Sequence, residues 1–187
     1  MDLKTILELL KHYNKYCYTL KQINKELTVR KIRLPNFPSE ISENIAKICF
    51  YKKYNDLPSW NTDKGDLILE DGRRIEVKGF SSRGPTSFGP TEKWDIIMFV
   101  DCIKAHKCHF KVYIAFLAND SKEWQALKVN KKQTFKDQCL QKRRPRLAFS
   151  RIQQQIKLTK IFDGPLQNDH DDIEGDGISD KFVKLTI

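Results

Sequence analysis

An α/β domain with a mixed central sheet flanked by helices is the fold class this sequence predicts, and three observations predict it. Two segments carry apolar residues at helical spacing, a Gly-centred hairpin pattern follows them, and two apolar runs of strand length come next. At 187 residues the chain suits one domain with a sizeable core, and nothing in its composition marks a domain boundary. The expected organisation is a single domain over 1–187, with an amino-terminal helical segment and a basic carboxy-terminal third.

The elements follow in chain order. Leu3, Ile6, Leu7, Leu10, Tyr13, Cys17, Leu20, Ile23 and Leu27 recur every three or four residues, which predicts one long helix or two shorter ones. That stripe packs either on the core or on a second subunit. Lys31 to Leu34 reads as a short strand ended by Pro35 and Pro38. Ser39 reads as an N-cap, with Ile41, Ile45, Ile48 and Cys49 on one face of a helix to about Tyr54. The hairpin occupies Gly65 to Phe80, and Ser81 to Lys93 is a loop with two Gly-Pro pairs. Trp94 to Ile103 and Lys111 to Ala118 are the candidates for central strands. Phe135 to Gln141 reads as a short helix and Phe149 to Ile161 as another. An acidic loop around Asp169 to Asp180 and a last strand, Phe182 to Ile187, complete the reading.

Charge narrows the partner. The chain carries 34 Lys+Arg against 24 Asp+Glu, a formal net charge of +10. From Ile161 onward seven acids face two bases, a net of −5, which leaves +15 on the first 160 residues. A domain that basic is suited to a polyanion, and nucleic acid is the leading candidate. No apolar run reaches the length of a membrane span, and the amino-terminal segment is too charged for a signal peptide. Five scattered cysteines (Cys17, Cys49, Cys102, Cys108, Cys139) fit a reducing compartment, so a cytoplasmic protein is expected.

The hairpin carries the chemistry. A three-residue loop, Glu70-Asp71-Gly72, would pair Leu69 with Arg73 and therefore Asp66 with Glu76, placing both carboxylates and Lys78 on one face. A two-residue loop at Asp71-Gly72 would shift the register and separate them. Two neighbouring carboxylates disfavour joint ionisation unless a cation sits between them, and oxygen ligands of this kind suit Mg2+. Lys78 is suited to holding an attacking water or neutralising charge that builds on a phosphate.

Asp66, nine intervening residues and then Glu76-Val77-Lys78 resemble the PD-(D/E)-x-K nuclease superfamily, which includes most type II restriction endonucleases. The resemblance covers roughly residues 38–103, and its order of a helix and then a meander is similar to the first half of the restriction-endonuclease-like core. It departs at Gly65, where the motif's proline would stand. The resemblance implies a single nuclease domain in which Asp66 and Glu76 ligate Mg2+, Val77 lends its carbonyl and Lys78 is the catalytic lysine. Some relatives add a helix glutamate, for which Glu40 and Glu43 are candidates, and Glu40 lies closer to the apolar edge of the helical wheel. The implied activity is magnesium-dependent cleavage of double-stranded DNA at a specific site, with a homodimer matching palindromic targets. A junction-resolving or repair nuclease, or a non-catalytic nucleic-acid-binding protein, is the alternative.

DNA contacts are expected from Arg83, Ser87 and Lys93 in the Gly-Pro loop, and from Arg143, Arg144, Arg146 and Arg151 in the basic run. Two other clusters are set aside. Cys102, His106, Cys108 and His109 match no zinc spacing, and Asp172, Glu174, Asp176 and Gly177 mimic a calcium loop whose last ligand position holds Val183.

Overall fold

The opening stripe folds as one continuous helix, α1 (Leu3–Glu26), whose cap residue Asp2 accepts a hydrogen bond from the Thr5 amide at 2.7 Å. The computed structural model describes residues 1–63 and 65–166. Ile6 and Leu10 are buried in the core, whereas Tyr16, Tyr18 and Ile23 stand exposed on the second half of the helix. Lys31 to Leu34 is not a strand. The Lys31 ammonium donates to the carbonyls of Asn24 and Leu27, and the Asn24 side chain exchanges two hydrogen bonds with the Ile32 backbone. The segment therefore caps the end of α1 instead of seeking a sheet partner.

Helix α2 (Ser39–Tyr54) begins one residue earlier than expected. Pro38 occupies the cap position, Ser39 is the first helical residue, and no side chain caps the terminus. Asn55 ends the helix in the left-handed conformation, at φ 54°.

Among the described residues eight strands follow: β1 (Ser59–Trp60), β2 (Leu67–Ile68), β3 (Arg74–Phe80), β4 (Pro85–Ser87), β5 (Ile96–Asp101), β6 (His109–Ala115), β7 (Arg146–Ala148) and β8 (Thr159–Pro165). Six form a sheet in the order β1-β2-β3-β5-β6-β8, while β4 and β7 pair separately as a two-stranded ribbon. The sheet is mixed because β3 and β5 are parallel and every other neighbouring pair is antiparallel. A parallel pair needs a crossover, and the segment from Ser81 to Asp95 supplies it while contributing β4.

Both faces of the sheet are covered. Ile75, Val77, Ile96, Met98 and Val100 pack against α1 and α2, with Ile6, Leu10, Ile41 and Ile45. Ile97, Phe99 and Phe80 pack on the other side with Phe88, Trp94, Trp124, Phe135 and Leu147. This double burial is why β5 is apolar at successive positions rather than alternating.

Around the second core lie three short helices, α3 (Lys122–Gln125), α4 (Phe135–Leu140) and α5 (Phe149–Gln153). Helix α4 is the expected short helix, held by a reciprocal cap between Thr134 and Asp137. The helix expected over Phe149 to Ile161 is a correction: it stops at Gln153, and Thr159–Pro165 is β8. Thr159, Ile161 and Phe162 suit a pleated edge, and pairing with β6 rewards them where a longer helix would leave the outer edge of β6 unpaired. The acidic segment and the strand expected over Phe182 to Ile187 lie outside the described residues.

Helix α2 meets β3 at Gly79. A Cβ placed there would lie 2.6 Å from both the Cβ and Oγ of Ser42. Because Ser42 is buried, Gly79→Ala must push α2 off β3. The expected cost is about 1–3 kcal/mol of stability, read from the denaturant midpoint.

Candidate active site

Three-residue hairpin geometry is what the chain adopts. Leu67 pairs with Ile75 and Ile68 with Arg74, the Leu69 amide donates to the Arg73 carbonyl at 2.9 Å, and Gly72 takes φ +85° at the loop's end. The regular ladder ends at Leu67: the Asp66 amide donates to the Ile75 carbonyl at 3.0 Å, one residue short of the Glu76 partner that the unbroken register predicts, so Asp66 joins the site through its side chain. Ile75 and Val77 point into the α1–α2 core, so the alternation of the strand sends Glu76 and Lys78 to the opposite face.

The side chains interlock there. Asp66 Oδ2 accepts the Val77 amide at 2.6 Å, replacing a ladder bond just where β2 leaves β3. The Lys78 ammonium pairs with Glu76 Oε1, lies 3.6 Å from Glu92 Oε2, and sits 5.6 Å from the centre of the Phe88 ring. Glu76 is 3% exposed, which makes it the most enclosed carboxylate among the described residues.

Burial dominates the electrostatics. It raises the pKa of Asp66 despite the opposing Val77 hydrogen bond and the Lys78 charge. Burial also raises Glu76, outweighing the pull of Lys78, and repulsion from Asp66 and Glu92 adds to it. For Lys78, burial works against the charge, but Glu76, Glu92 and Asp66 overcome it and hold the ammonium protonated. Burial and repulsion from Asp66 and Glu40 bring Glu43 up to about 7.

A pH effect follows from these carboxyls. A carboxyl raised above its unfolded value of 4.5 binds a proton more tightly in the folded state, so its contribution favours folding below 4.5 and fades as pH rises through 7. Without divalent cation, Tm is expected to rise by roughly 3–8 °C between pH 7.5 and pH 5. A flat or opposite profile in a thermal scan would contradict the burial of these groups.

Of the two candidate helix glutamates, Glu43 lies nearer the hairpin charges than Glu40 does. Glu40 is exposed in the first turn of α2, within 3.3 Å of Ser39 Oγ, whereas Glu43 is half-buried and senses both Asp66 and Lys78. The wheel misplaced them because α2 is covered on more than one side: Ser42, Asn44 and Lys47 are buried along with Ile41, Ile45 and Cys49. Glu92 was missed altogether. It lies in the aperiodic loop, where only its proximity to the strand that carries Glu76 and Lys78 could have drawn attention.

The ribbon of β4 and β7 joins the two stretches expected to meet DNA. Ser87 pairs with Arg146 across it, and Arg144 Nε donates to Ser87 Oγ at 3.3 Å. Arg144 also reaches Glu92 Oε1 at 3.8 Å, which links the basic run to Lys78 through one carboxylate. Arg83, Lys93, Arg143, Arg144 and Arg146 are exposed, while Arg151 is exposed but donates to the Val129 carbonyl. All five cysteines are free. Among the described residues, no group of three or more His, Cys, Asp or Glu side chains is gathered as a metal cage, and no helix is long and apolar enough to cross a membrane. The calcium-like stretch from Asp172 to Gly177 lies outside the described residues.

The donor set nonetheless suits a hard cation. Burial raises the pKa of both Asp66 and Glu76, and a divalent ion bound to their oxygens would supply the compensation that their ionised forms need. The family model described as Bsp6I restriction endonuclease matches residues 1–157 of the chain. No curated protein matches, and no solved structure matches.

Proposed function

The chain belongs to the Bsp6I restriction endonuclease family and is thereby a sequence-specific DNA endonuclease, and we propose that Asp66, Glu76 and Lys78 carry a magnesium-dependent cleavage of double-stranded DNA. One observation carries this reading: a hairpin that brings together the buried Glu76, the half-buried Asp66 and a lysine, beside a basic ribbon. The same arrangement supports membership of the PD-(D/E)-x-K superfamily.

Asp66, Glu76 and the Val77 carbonyl would hold the magnesium, with Glu43 near enough to add negative charge. Magnesium, when bound, supplies a Lewis acid for the scissile phosphate. The protein's own part is positioning and charge. Lys78 stays an ammonium, oriented by Glu76, and neutralises the negative charge that grows on the phosphate oxygens as water attacks phosphorus. The exposed Arg143, Arg144, Arg146, Arg83 and Lys93 bind the backbone, with Ser87 holding Arg144, while Arg151 works from its anchor on Val129.

A palindromic target is read most simply by a two-fold symmetric pair, so a homodimer is the proposed assembly, and the cytoplasm the proposed location. The test is incubation with a fully sequenced plasmid and Mg2+, followed by sequencing of the ends. Discrete ends at one short sequence are expected. Preference for branched over linear DNA would identify a junction-resolving or repair nuclease instead, and binding without turnover a non-catalytic protein.

A further inference from the structure

Glu92 stands outside the hairpin yet touches both halves of the site. Its Oε2 is 3.6 Å from Lys78 Nζ and its Oε1 is 3.8 Å from Arg144 Nη2. The backbone is fixed firmly: Asn119 Nδ2 donates to the Glu92 carbonyl at 2.6 Å, and Asn119 Oδ1 accepts the Trp94 amide at 3.4 Å. The side chain lies flat on Gly89, where a Cβ would come within 2.5 Å of Oε1. Glycine at that position is what makes room for it.

Its carboxylate is held loosely by comparison. Both cation contacts exceed hydrogen-bond length, and the buried Oε2 has no hydrogen-bond partner among the described residues. An enclosed carboxylate ordinarily gathers donors, so one held only by two distant cations is poorly satisfied. Lys78 is paired closely with Glu76, so Arg144 is the less satisfied of the two cations. Among the described residues Arg144 has only the Ser87 hydroxyl besides, and it is exposed. A phosphate brought between Lys78 and Arg144 offers shorter, charge-assisted contacts to both.

We infer that Glu92 is a positioning residue: it holds Lys78 and Arg144 toward one point in the DNA-free protein and yields both to a phosphate of the bound strand. This rests on the nuclease reading of the site. A role as a further metal ligand fits less well, since the contacts of Glu92 are to the two cations and the described residues gather no three-carboxylate cage.

The test is equilibrium binding of the full chain to a short linear duplex in EDTA, at low and high salt, with Tm measured beside it. Glu92→Gln removes the competing charge and should tighten binding by about threefold to tenfold at low salt. The gain should shrink at high salt and in an Arg144→Ala background. Glu92→Asp, which keeps the charge, should restore wild-type affinity. Gly89→Ala, which evicts the side chain without removing it, should give part of the gain. Unchanged or weaker binding by Glu92→Gln and Gly89→Ala, at wild-type Tm, would overturn the inference and leave the nuclease reading standing. Failure of the wild-type protein to bind DNA would overturn both.

Discussion

Lys78→Ala is expected to bind DNA in the presence of Mg2+ about as well as wild type while single-turnover cleavage falls by about 10²–10³-fold. The expectation comes from the division of labour on β3. On the proposed reading Glu76 and Asp66 would remain to hold the metal, and the ribbon arginines would remain to bind the duplex. What disappears is a cation whose worth grows as the phosphate gains charge, so the loss belongs to the transition state. One side effect tests the same geometry. Removing Lys78 takes away the charge that lowers the pKa of Glu76, so residual cleavage should need higher pH than wild type. A variant that lost binding and cleavage in equal proportion would place Lys78 among simple DNA contacts instead.

Asp66→Asn should be more damaging still, with cleavage reduced by about 10³-fold or more at any attainable Mg2+ concentration. Asparagine is chosen because the Asp66 carboxylate also accepts the Val77 amide, and an amide oxygen can take over that bond. Alanine would orphan a backbone donor, at a cost of about 1–3 kcal/mol, and so mix a folding defect with a catalytic one. Binding in EDTA should strengthen in Asp66→Asn, because one negative charge near the phosphate is gone. Ca2+ should support binding by the wild type without efficient cleavage, since it accepts oxygen ligands in a looser geometry than Mg2+.

Local chemistry made much of this site legible in the sequence. Reading Glu70-Asp71-Gly72 as a three-residue loop gave the register of Leu67 and Ile68 with β3, and Gly72 adopts the left-handed conformation that loop needs, although Asp66 itself bonds Ile75 rather than facing Glu76 squarely. The apolar run around Ile96 to Val100 was equally clear, because only a strand buried on both faces reads that way. What stayed hidden depends on tertiary contacts. Glu43 could not be ranked above Glu40 while α2 was treated as having a single buried face. Glu92 has no periodic neighbours to betray it, and its meaning comes from Lys78 and Arg144, which lie 14 and 52 positions away in the chain. The strand at Thr159 was read as helix because Ile152 and Ile156 keep helical spacing up to the point where the edge of β6 captures the chain.

The proposal that the hairpin is the catalytic centre is tested most directly by single-turnover cleavage measured beside equilibrium binding, for wild type, Lys78→Ala and Asp66→Asn on one sequenced substrate. The expected result is cleavage by wild type with Mg2+, loss of cleavage in both variants, and binding retained in both. Near-normal cleavage by Lys78→Ala would contradict it, and Asp66, Glu76 and Lys78 would then be ordinary charges on the surface of a hairpin.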